Sequence, residues 1–537
     1  MLIEKSFTAL KESMESLKMP PLNQEDSLSF TEHGHFSSNI SFAAAKVMKK
    51  NPMEIALKIA ESMKGEFMLS SSAVKPGFIN VTFTDRALID EMKEIASEIN
   101  WGKKDINKGK VNLEFVSANP TGPLVLVNMR AGVAGNCLAK IMQYSGYDAV
   151  KENYVNDSGK QVHNLGASIL FHIAKDKGEF PENGYKGSYI KDIAFEVQKN
   201  HPPLNWSEEN INLCADEGKR IILESQKKSL EKFHIVFDSW VYESFIRNEY
   251  IKKTEEYLRE KKYIYVNENA VFLRTTDFGD DKDRVIYKSD GEMTYFLPDI
   301  AYHFYKAERG FDRIIDILGP DHHGYTSRIK ASLQMLDKKS RFDIIIAQIV
   351  TLYRNNEKYE MSKRAGDFIS MDELAEEIDP DVLKFLVLSR KLSQPFNFDI
   401  EKAKETTMDN PVYYVQYAYA RLSSLMSNAC INSFSDISYD YDSLGDDSLR
   451  SIAAKLLEFP YTVYSIAETY EIQKLPTYIV SLSSLIHSYY HDNRIITDDK
   501  KETNIKISVL FAARRILRTA FEMIGITVKE RMEKNEV

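Results

Sequence analysis

The 537-residue sequence is poor in cysteine and tryptophan, with three residues of each. Cys137, Cys214 and Cys430 lie far apart, so they form neither a disulfide framework nor the paired spacing of a zinc site. No run of about 18 apolar residues could span a bilayer. The first residues also lack the basic start, apolar centre and cleavage site of a secretion signal. These absences predict a cytoplasmic protein without a membrane partner.

Positive charge is not in excess either. There are 70 Lys and Arg residues against 79 Asp and Glu residues, giving a formal net charge of −9. This balance excludes a globally basic nucleic-acid binder, so any RNA contact must depend on local patches and shape. What the chain does have is length and 43% apolar residues, which can bury a large core in about three domains.

The residue pattern divides the chain into three domains. Residues 1–88 mix helical patterning with an alternating run at 77–83, which predicts a small α+β module. From 89 to 405, strands alternate with amphipathic helices, which predicts an α/β domain with a doubly wound parallel sheet. A charged helical stretch at about 160–285 is interpreted as an insertion in that sheet. Residues 406–537 show long helical patterns without a strand and predict a helical bundle.

One loop stands out within the α/β region. A strand-like run at 111–116 leads into the turn-rich residues 117–123, and apolar residues then recur at helical spacing until Gly146. Such a loop at the carboxyl end of a parallel strand points backbone N–H groups and the positive helix end at an anion, commonly a nucleotide phosphate. An ordinary connecting loop is the alternative.

A second segment makes the pattern specific. The run Tyr-Glu-Met-Ser-Lys-Arg-Ala-Gly at 359–366, together with Ser-Ala-Asn-Pro-Thr-Gly-Pro-Leu at 117–124, resembles the paired signatures of class I aminoacyl-tRNA synthetases. Within that class the sequence is similar to the arginyl-tRNA synthetase family, and the likeness covers nearly the whole chain. It includes residues 153–159, 294–303, 319–325 and 410–418. The resemblance implies a Rossmann-like catalytic core.

The two ends of the chain fit the same family. The segment 32–40 resembles the amino-terminal domain of arginyl-tRNA synthetases, which implies contact with the outer corner of tRNA. The helical bundle would hold the anticodon, because single-stranded loops are read by aromatic stacking and base-edge hydrogen bonds. The candidate tRNA-binding residues are Tyr413, Gln416, Tyr417 and Arg421. Tyr413, Tyr417 and Arg421 also fit one helix face at i, i+4 and i+8, so a packing role is equally open for some of these three.

The chemistry implied by the resemblance is activation of arginine by ATP. Negative charge grows on the phosphates, and Lys363 is suited to meet it. The following helix should begin at a capping box of Ser370 and Glu373. A solvated Lys363-Arg364 pair on a surface loop is the alternative. The first lysine of the family loop is replaced here by Glu360.

The first signature departs from the family more deeply. Where the family has His-x-Gly-His, this chain has Val125-Leu126-Val127-Asn128. Asn128 still offers an amide N–H₂ group and is the second candidate catalytic residue. Loss of one transition-state donor typically costs about 2.7–4 kcal/mol. The predicted ATP-binding residues are Pro120, Thr121, Gly122, Pro123, Val125, Val127, Asn128, Met361, Ser362 and Lys363.

Arginine specificity follows from charge. A guanidinium requires a carboxylate with an aromatic face beside it, and Tyr295 and Asp299 would share a face if they lie on one helical turn. Asp299 could instead cap the helix. The predicted arginine-binding residues are Ser117, Asn119, Asn156, Tyr295, Asp299 and His322. Asp321, His322 and His323 have no third ligand at zinc spacing, so no metal site is predicted.

The sequence therefore predicts an enzyme of protein biosynthesis, an arginine–tRNA ligase. It would form arginyl-adenylate and transfer arginine to the 3′-terminal ribose of tRNA(Arg), releasing AMP and diphosphate. Its substrates are ATP with Mg²⁺, L-arginine and tRNA, no tightly bound cofactor is expected, and a monomer is expected. A catalytically impaired, synthetase-like RNA-binding protein is the alternative. The cysteinyl enzyme is a weaker one, because zinc-ligand cysteines are missing.

Overall fold

The computed structural model describes residues 1–19, 28–31, 34–176, 178–320, 326–336, 340–355, 357–359, 369–405 and 407–532. Along these residues an α+β region is followed by a region built on a parallel sheet and then by a helical region. Among the helices described, none is both long enough and apolar enough to cross a membrane.

The amino-terminal region is an antiparallel sheet with helices. Its elements are α1 (Leu2–Ser16), β1 (Leu28–Thr31), β2 (Gly34–Ser38), α2 (Ile40–Met48), α3 (Pro52–Ser62), β3 (Met68–Val74), β4 (Phe78–Phe83) and α4 (Asp85–Ser97). The strand order is β1-β2-β4-β3. Ile79, Val81 and Phe83 alternate along β4 and are buried, which gives this sheet its core face. The predicted α+β module is confirmed.

The central region contains a five-stranded sheet. Its first elements are β5 (Lys110–Glu114), α5 (Leu126–Tyr144), β6 (Asp148–Val155), α6 (Lys160–Ile173), α7 (Ser188–Asn200), α8 (Glu208–Lys232), β7 (Ser239–Tyr242), α9 (Glu243–Glu249), α10 (Ile251–Glu260), β8 (Ile264–Asn267), β9 (Ala270–Leu273) and β10 (Arg284–Tyr287). It continues with α11 (Phe296–Glu308), β11 (Arg313–Leu318), α12 (Thr326–Met335), β12 (Arg341–Ile346), β13 (Val350–Arg354), β14 (Glu357–Tyr359), α13 (Met371–Glu377), α14 (Pro380–Leu388), β15 (Phe396–Asp399) and α15 (Ile400–Ala403).

The five strands run parallel in the order β12-β11-β5-β6-β7, which confirms the predicted doubly wound sheet. The chain leaves β5 in one direction toward β7 and later returns on the other side as β11 and β12. The order therefore reverses between β5 and β11, which is where such sheets bind ligands. The stretch at 160–285 differs from the predicted insertion in one respect, because it supplies the edge strand β7.

The carboxyl-terminal region is helical, as predicted. It contains α16 (Pro411–Asn428), α17 (Asp447–Thr469), α18 (Lys474–Asp492) and α19 (Lys500–Ile524). Helix α19 packs against α4, and α17 packs against α5, so this bundle contacts both preceding regions. A continuous apolar core joins the three regions.

Candidate active site

The loop that follows β5 makes a strained turn at the switch point. Val116 and Ser117 have φ angles of 71° and 38°, which a β-branched residue such as Val116 rarely adopts. The turn is held by its neighbours: the Ser117 N–H donates to Asn153 Oδ1 at 3.1 Å, and the Ser117 hydroxyl donates to Glu114 Oε1 at 2.7 Å. The Tyr154 N–H in turn donates to Ser117 Oγ at 3.2 Å. Backbone strain kept in this way is typical of functional sites.

Asn128 closes the amino end of α5. The Val125 N–H donates to Asn128 Oδ1 at 3.1 Å, while Val125 itself is buried with 8% exposure. The Asn128 side chain is half-buried, and its amide nitrogen has no hydrogen bond to the residues described. The oxygen is thus used for capping, whereas the N–H₂ group is left to donate at the helix amino terminus. A ligand anion would meet the positive end of the helix at this point.

The segment after the second signature contacts this loop. Val125 and Ser370 form an isolated antiparallel bridge, and the Met371 N–H donates to the Leu124 carbonyl at 2.7 Å. The predicted capping box is confirmed, since the Glu373 N–H donates to Ser370 Oγ at 3.1 Å and the Ser370 N–H donates to Glu373 Oε2 at 2.7 Å. The start of α13 therefore lies beside the first signature. The predicted residues Met361, Ser362 and Lys363, like Glu360, lie outside the described residues.

Arg130 links α5 to the small sheet formed by β13, β14 and β15. Its fully buried guanidinium donates to the carbonyls of Gln348, Lys391 and Gln394 at 3.0, 2.8 and 3.1 Å. These carbonyls lie just before β13 and β15. Burial lowers the pKa of Arg130 to about 10, so the side chain stays charged at neutral pH. The only sign of this role in the sequence is an arginine on an otherwise apolar helix face.

The predicted arginine pocket lies at the start of α11. Tyr295 precedes the helix and is 76% exposed, whereas Asp299 is half-buried in its first turn. Asp299 does not occupy the N-cap position, so the alternative capping role is wrong. Burial, followed by the negative charges of Glu243, Asp299 and Glu114, raises the pKa of Tyr154 far above its usual value. This acidic, aromatic surrounding suits a cationic side chain.

A buried charge network lies beneath that pocket. Lys306 is fully buried and contacts Glu114 and, at 2.8 Å, Asp316. Burial alone would lower the pKa of Lys306, but the charges of Asp316, Glu114 and Glu152 raise it above its usual value. Lys306 correspondingly lowers the pKa of Asp316 against the opposing effect of burial. In the sequence, acidic residues at buried strand positions indicate a buried partner of opposite charge. They do not identify Lys306 as that partner.

Asn119 and Asn156, which were also predicted to line the arginine pocket, lie in loops. Asn119 donates from its amide to Gln161 Oε1 at 2.7 Å, and Asn156 is half-buried in the loop after β6. His322 and the adjoining Asp321 and His323 lie outside the described residues. Within the part of the chain that the structure describes, no group of three or more His, Cys, Asp or Glu side chains is placed to hold a metal ion.

The predicted tRNA-binding residues on α16 separate into two pairs. Tyr413 and Gln416 are buried, and the Gln416 amide donates to Asp381 Oδ2 at 3.4 Å and to the Thr527 carbonyl at 3.2 Å. Reading a base edge with this amide would break both bonds, so Gln416 makes packing contacts that the sequence did not suggest, and the burial of Tyr413 agrees with the packing alternative. Tyr417 and Arg421 are half-buried, with the Arg421 guanidinium 5.3 Å from the Tyr417 ring centre. They remain predicted RNA contacts.

Three family models match the chain. They are the arginyl tRNA synthetase N terminal domain at residues 7–83, the catalytic domain of class I (R) tRNA synthetases at 91–390, and the DALR anticodon binding domain at 415–532.

Individual proteins give the same result. The chain is 37% identical to the arginine–tRNA ligase of Staphylococcus epidermidis over 94% of this chain and 93% of that protein. It is 34% identical to the arginine–tRNA ligase of Aquifex aeolicus over 98% and 99% of the two chains. Thermus thermophilus arginyl-tRNA synthetase superposes with a TM-score of 0.81 over 99% of this chain and all of the other, at 19% identity, which shows similarity of fold.

Proposed function

The chain belongs to the arginyl-tRNA synthetase family, and we propose that it is an arginine–tRNA ligase. It activates L-arginine with ATP and transfers the arginyl group to the 3′-terminal ribose of tRNA(Arg), releasing AMP and diphosphate. The observation that carries this proposal is the bridge between Val125 and Ser370. It brings the first signature and the helix after the second signature together at the switch point of the sheet.

Catalysis in this proposal is positioning and charge stabilisation. The arginine carboxylate attacks the α-phosphate, diphosphate leaves, and the tRNA hydroxyl later displaces AMP, so no covalent enzyme intermediate is needed. The amide of Asn128 donates to the phosphates from the end of α5, and Lys363 supplies the cation. The other proposed ATP contacts are Pro120, Thr121, Gly122, Pro123, Val125, Val127, Met361 and Ser362. Mg²⁺ enters as the companion of ATP, held largely by phosphate oxygens.

The arginine side chain is proposed to bind at the start of α11. Asp299 accepts from the guanidinium, and the exposed ring of Tyr295 covers it from solvent. Ser117 and Asn119 would hold the α-amino and carboxylate groups, with Asn156 and His322 at the edge. This assignment is supported by the acidic surroundings of Tyr154. We also propose that the enzyme works as a monomer in the cytoplasm.

A synthetase-like RNA-binding protein without catalysis is the second candidate, because both signature histidines are replaced. The deciding experiment is tRNA-dependent arginylation by purified protein, with Lys363→Ala as control. We expect arginyl-tRNA well above the control level. Binding of tRNA(Arg) without product above that level would establish the second candidate instead.

A further inference from the structure

We infer that α8 braces the first signature loop and α13, the helix that follows the second signature, and that Gln226 on α8 is a positioning residue for the reaction. The inference rests on the proposed function and deepens it. Helix α8 lies between β6 and β7, in the stretch that the sequence analysis interpreted as an insertion. Three of its side chains contact the site segments: Gln226, Ser229 and Lys232.

Gln226 holds the loop that follows β5. Its side chain is 4% exposed, and its amide nitrogen donates to the carbonyls of Asn119 at 3.2 Å and Gly122 at 2.8 Å. Both carbonyls precede a proline, so neither peptide has an N–H group to offer a ligand. One buried amide therefore fixes the two peptides of this loop that cannot bind an anion. Such buried hydrogen bonds are costly to remove, because their acceptors would be left unsatisfied.

Tyr189 on α7 holds the peptide between them. Its hydroxyl donates to the Thr121 carbonyl at 2.8 Å. In a trans peptide the C=O and N–H groups point in opposite directions, so the Gly122 N–H points away from Tyr189. This N–H has no hydrogen bond to another residue that the structure describes. A Cβ at Gly122 would lie 3.1 Å from the Tyr189 hydroxyl, which leaves little room for another residue.

The last turn of α8 holds α13. Lys232 Nζ lies 2.6 Å from Asp372 Oδ1, and the Ser229 hydroxyl donates to the other oxygen of that carboxylate. Asp372 is the second residue of α13, next to the segment bridged to Val125. Gln226, Ser229 and Lys232 are spaced by three residues, so they follow one side of the helix. A single rigid helix thus fixes the distance between the first signature loop and the helix after the second signature.

The contact of Gln226 with the loop after β5 should be stronger than the contact of Lys232 with α13. Gln226 is buried, whereas Lys232 is about half exposed and Asp372 is 30% exposed, so their ion pair is screened by solvent. Because the reacting groups must be held to within a fraction of an ångström, loosening the buried attachment should have the larger effect. Gln226 is therefore the residue to test first.

The test compares Gln226→Met, which keeps the length and loses both donors, with Lys228→Ala on the exposed side of α8. Steady-state arginylation gives kcat and the KM for each substrate, and calorimetry gives the Kd for ATP alone. We expect Gln226→Met to raise the KM and Kd for ATP about tenfold, as the loss of two hydrogen bonds predicts. Lys228→Ala should match the wild type.

Tyr189→Phe is the milder second variant and should raise the same constants by about threefold to tenfold, because one hydrogen bond is lost. If Gln226 and Tyr189 only stabilised the fold, their variants would contain less folded enzyme. The apparent kcat would then fall, while the KM and Kd for ATP would not change. ATP constants within twofold of the wild type in both variants would overturn the inference. A wild-type protein that binds ATP but forms no arginyl-tRNA would contradict the proposed function, and the Kd values would still decide the role of α8.

Discussion

Asn128 shows how one side chain can serve two purposes at a helix terminus. Its oxygen caps α5 through the Val125 N–H, and its amide is the donor that we propose contacts the phosphates. In the family a histidine stands at this place, and the asparagine retains one donor. The active site of this chain is therefore predicted to depend on fewer donors, so each of them should carry more of the transition-state stabilisation.

Asn128→Asp keeps the cap acceptor and removes the amide donor. We expect kcat for arginylation to fall on the order of 10²- to 10³-fold, as for the loss of one transition-state donor, with little change in the thermal midpoint. Asn128→Ala loses the cap as well and should also lower stability by about 1 kcal/mol. Wild-type turnover by the Asp variant would remove Asn128 from the catalytic residues.

Asp299→Asn is predicted to separate arginine binding from ATP binding. The variant keeps the size of the side chain but loses a charge-assisted hydrogen bond, which is worth about 1.5–3 kcal/mol. We expect the KM for arginine to rise about tenfold to 100-fold, while the KM for ATP changes little. Equal changes in both constants, measured by arginylation at saturating tRNA, would contradict the assigned contact with the guanidinium.

Sequence reasoning succeeded where the determining contacts are local. The capping box at Ser370 and Glu373 spans three residues, and the alternating strands and helices of the sheet are read from short windows. It did not find Gln226, whose acceptors lie 104 and 107 residues away, or the contact between Lys306 and Glu114, which are 192 residues apart. Tyr413 illustrates a different limit. Periodicity places a residue on a helix face but does not say what covers that face.

Helix α4 carries a buried carboxyl group that should make its packing sensitive to pH. Glu91 is 2% exposed and accepts the Leu2 N–H at 3.1 Å, and burial raises its pKa to about 7. The folded-state pKa exceeds the unfolded value of 4.5. The contribution of the protonated form to stability is therefore complete below about pH 4.5 and is lost as pH rises through about 7.

Glu91→Gln should remove this dependence, because the amide oxygen can still accept from Leu2. We expect the variant to exceed the wild type by on the order of 2 kcal/mol in unfolding free energy at pH 8, and to match it near pH 4. Thermal midpoints across this range measure the effect. Exposed Glu98→Gln at the end of the same helix is the control. A parallel pH profile for the wild type and Glu91→Gln would show that Glu91 is not the responsible group.

The three regions of the molecule are joined by polar contacts as well as by the common core. Asp85 at the start of α4 accepts from Arg450 of α17 through both oxygens, at 2.8 and 3.0 Å. It also accepts from the Ser443 hydroxyl and the Leu444 N–H. Because α4 ends the amino-terminal region and α17 belongs to the carboxyl-terminal bundle, this pair helps to fix the relative placement of the two regions that the sequence predicts to contact the outer corner and the anticodon of tRNA.

The Arg450 hydrogen bond is the main cause that lowers the pKa of Asp85 to about 2. The stabilisation is therefore present above the ordinary pKa near 3.8 and is lost as pH falls toward 2. Asp85→Asn keeps the Ser443 and Leu444 contacts but loses the charge. We expect it to lower the unfolding free energy at pH 7 by about 1–2 kcal/mol, with the difference vanishing near pH 2.

The matched control is the neighbouring pair of Arg86 and Asp90, which lies 2.9 Å apart but is more than half exposed. Removing that pair with Asp90→Asn should change the midpoint far less, because solvent screens it, and this variant leaves the contact between Arg86 and Asp442 in place. A double-mutant cycle between Asp85→Asn and Arg450→Met should show coupling, since the two side chains form one bidentate pair. Additive effects in the cycle, or an equal loss from Asp90→Asn, would contradict a specific role of the pair of Asp85 and Arg450 in joining the amino-terminal region to the bundle.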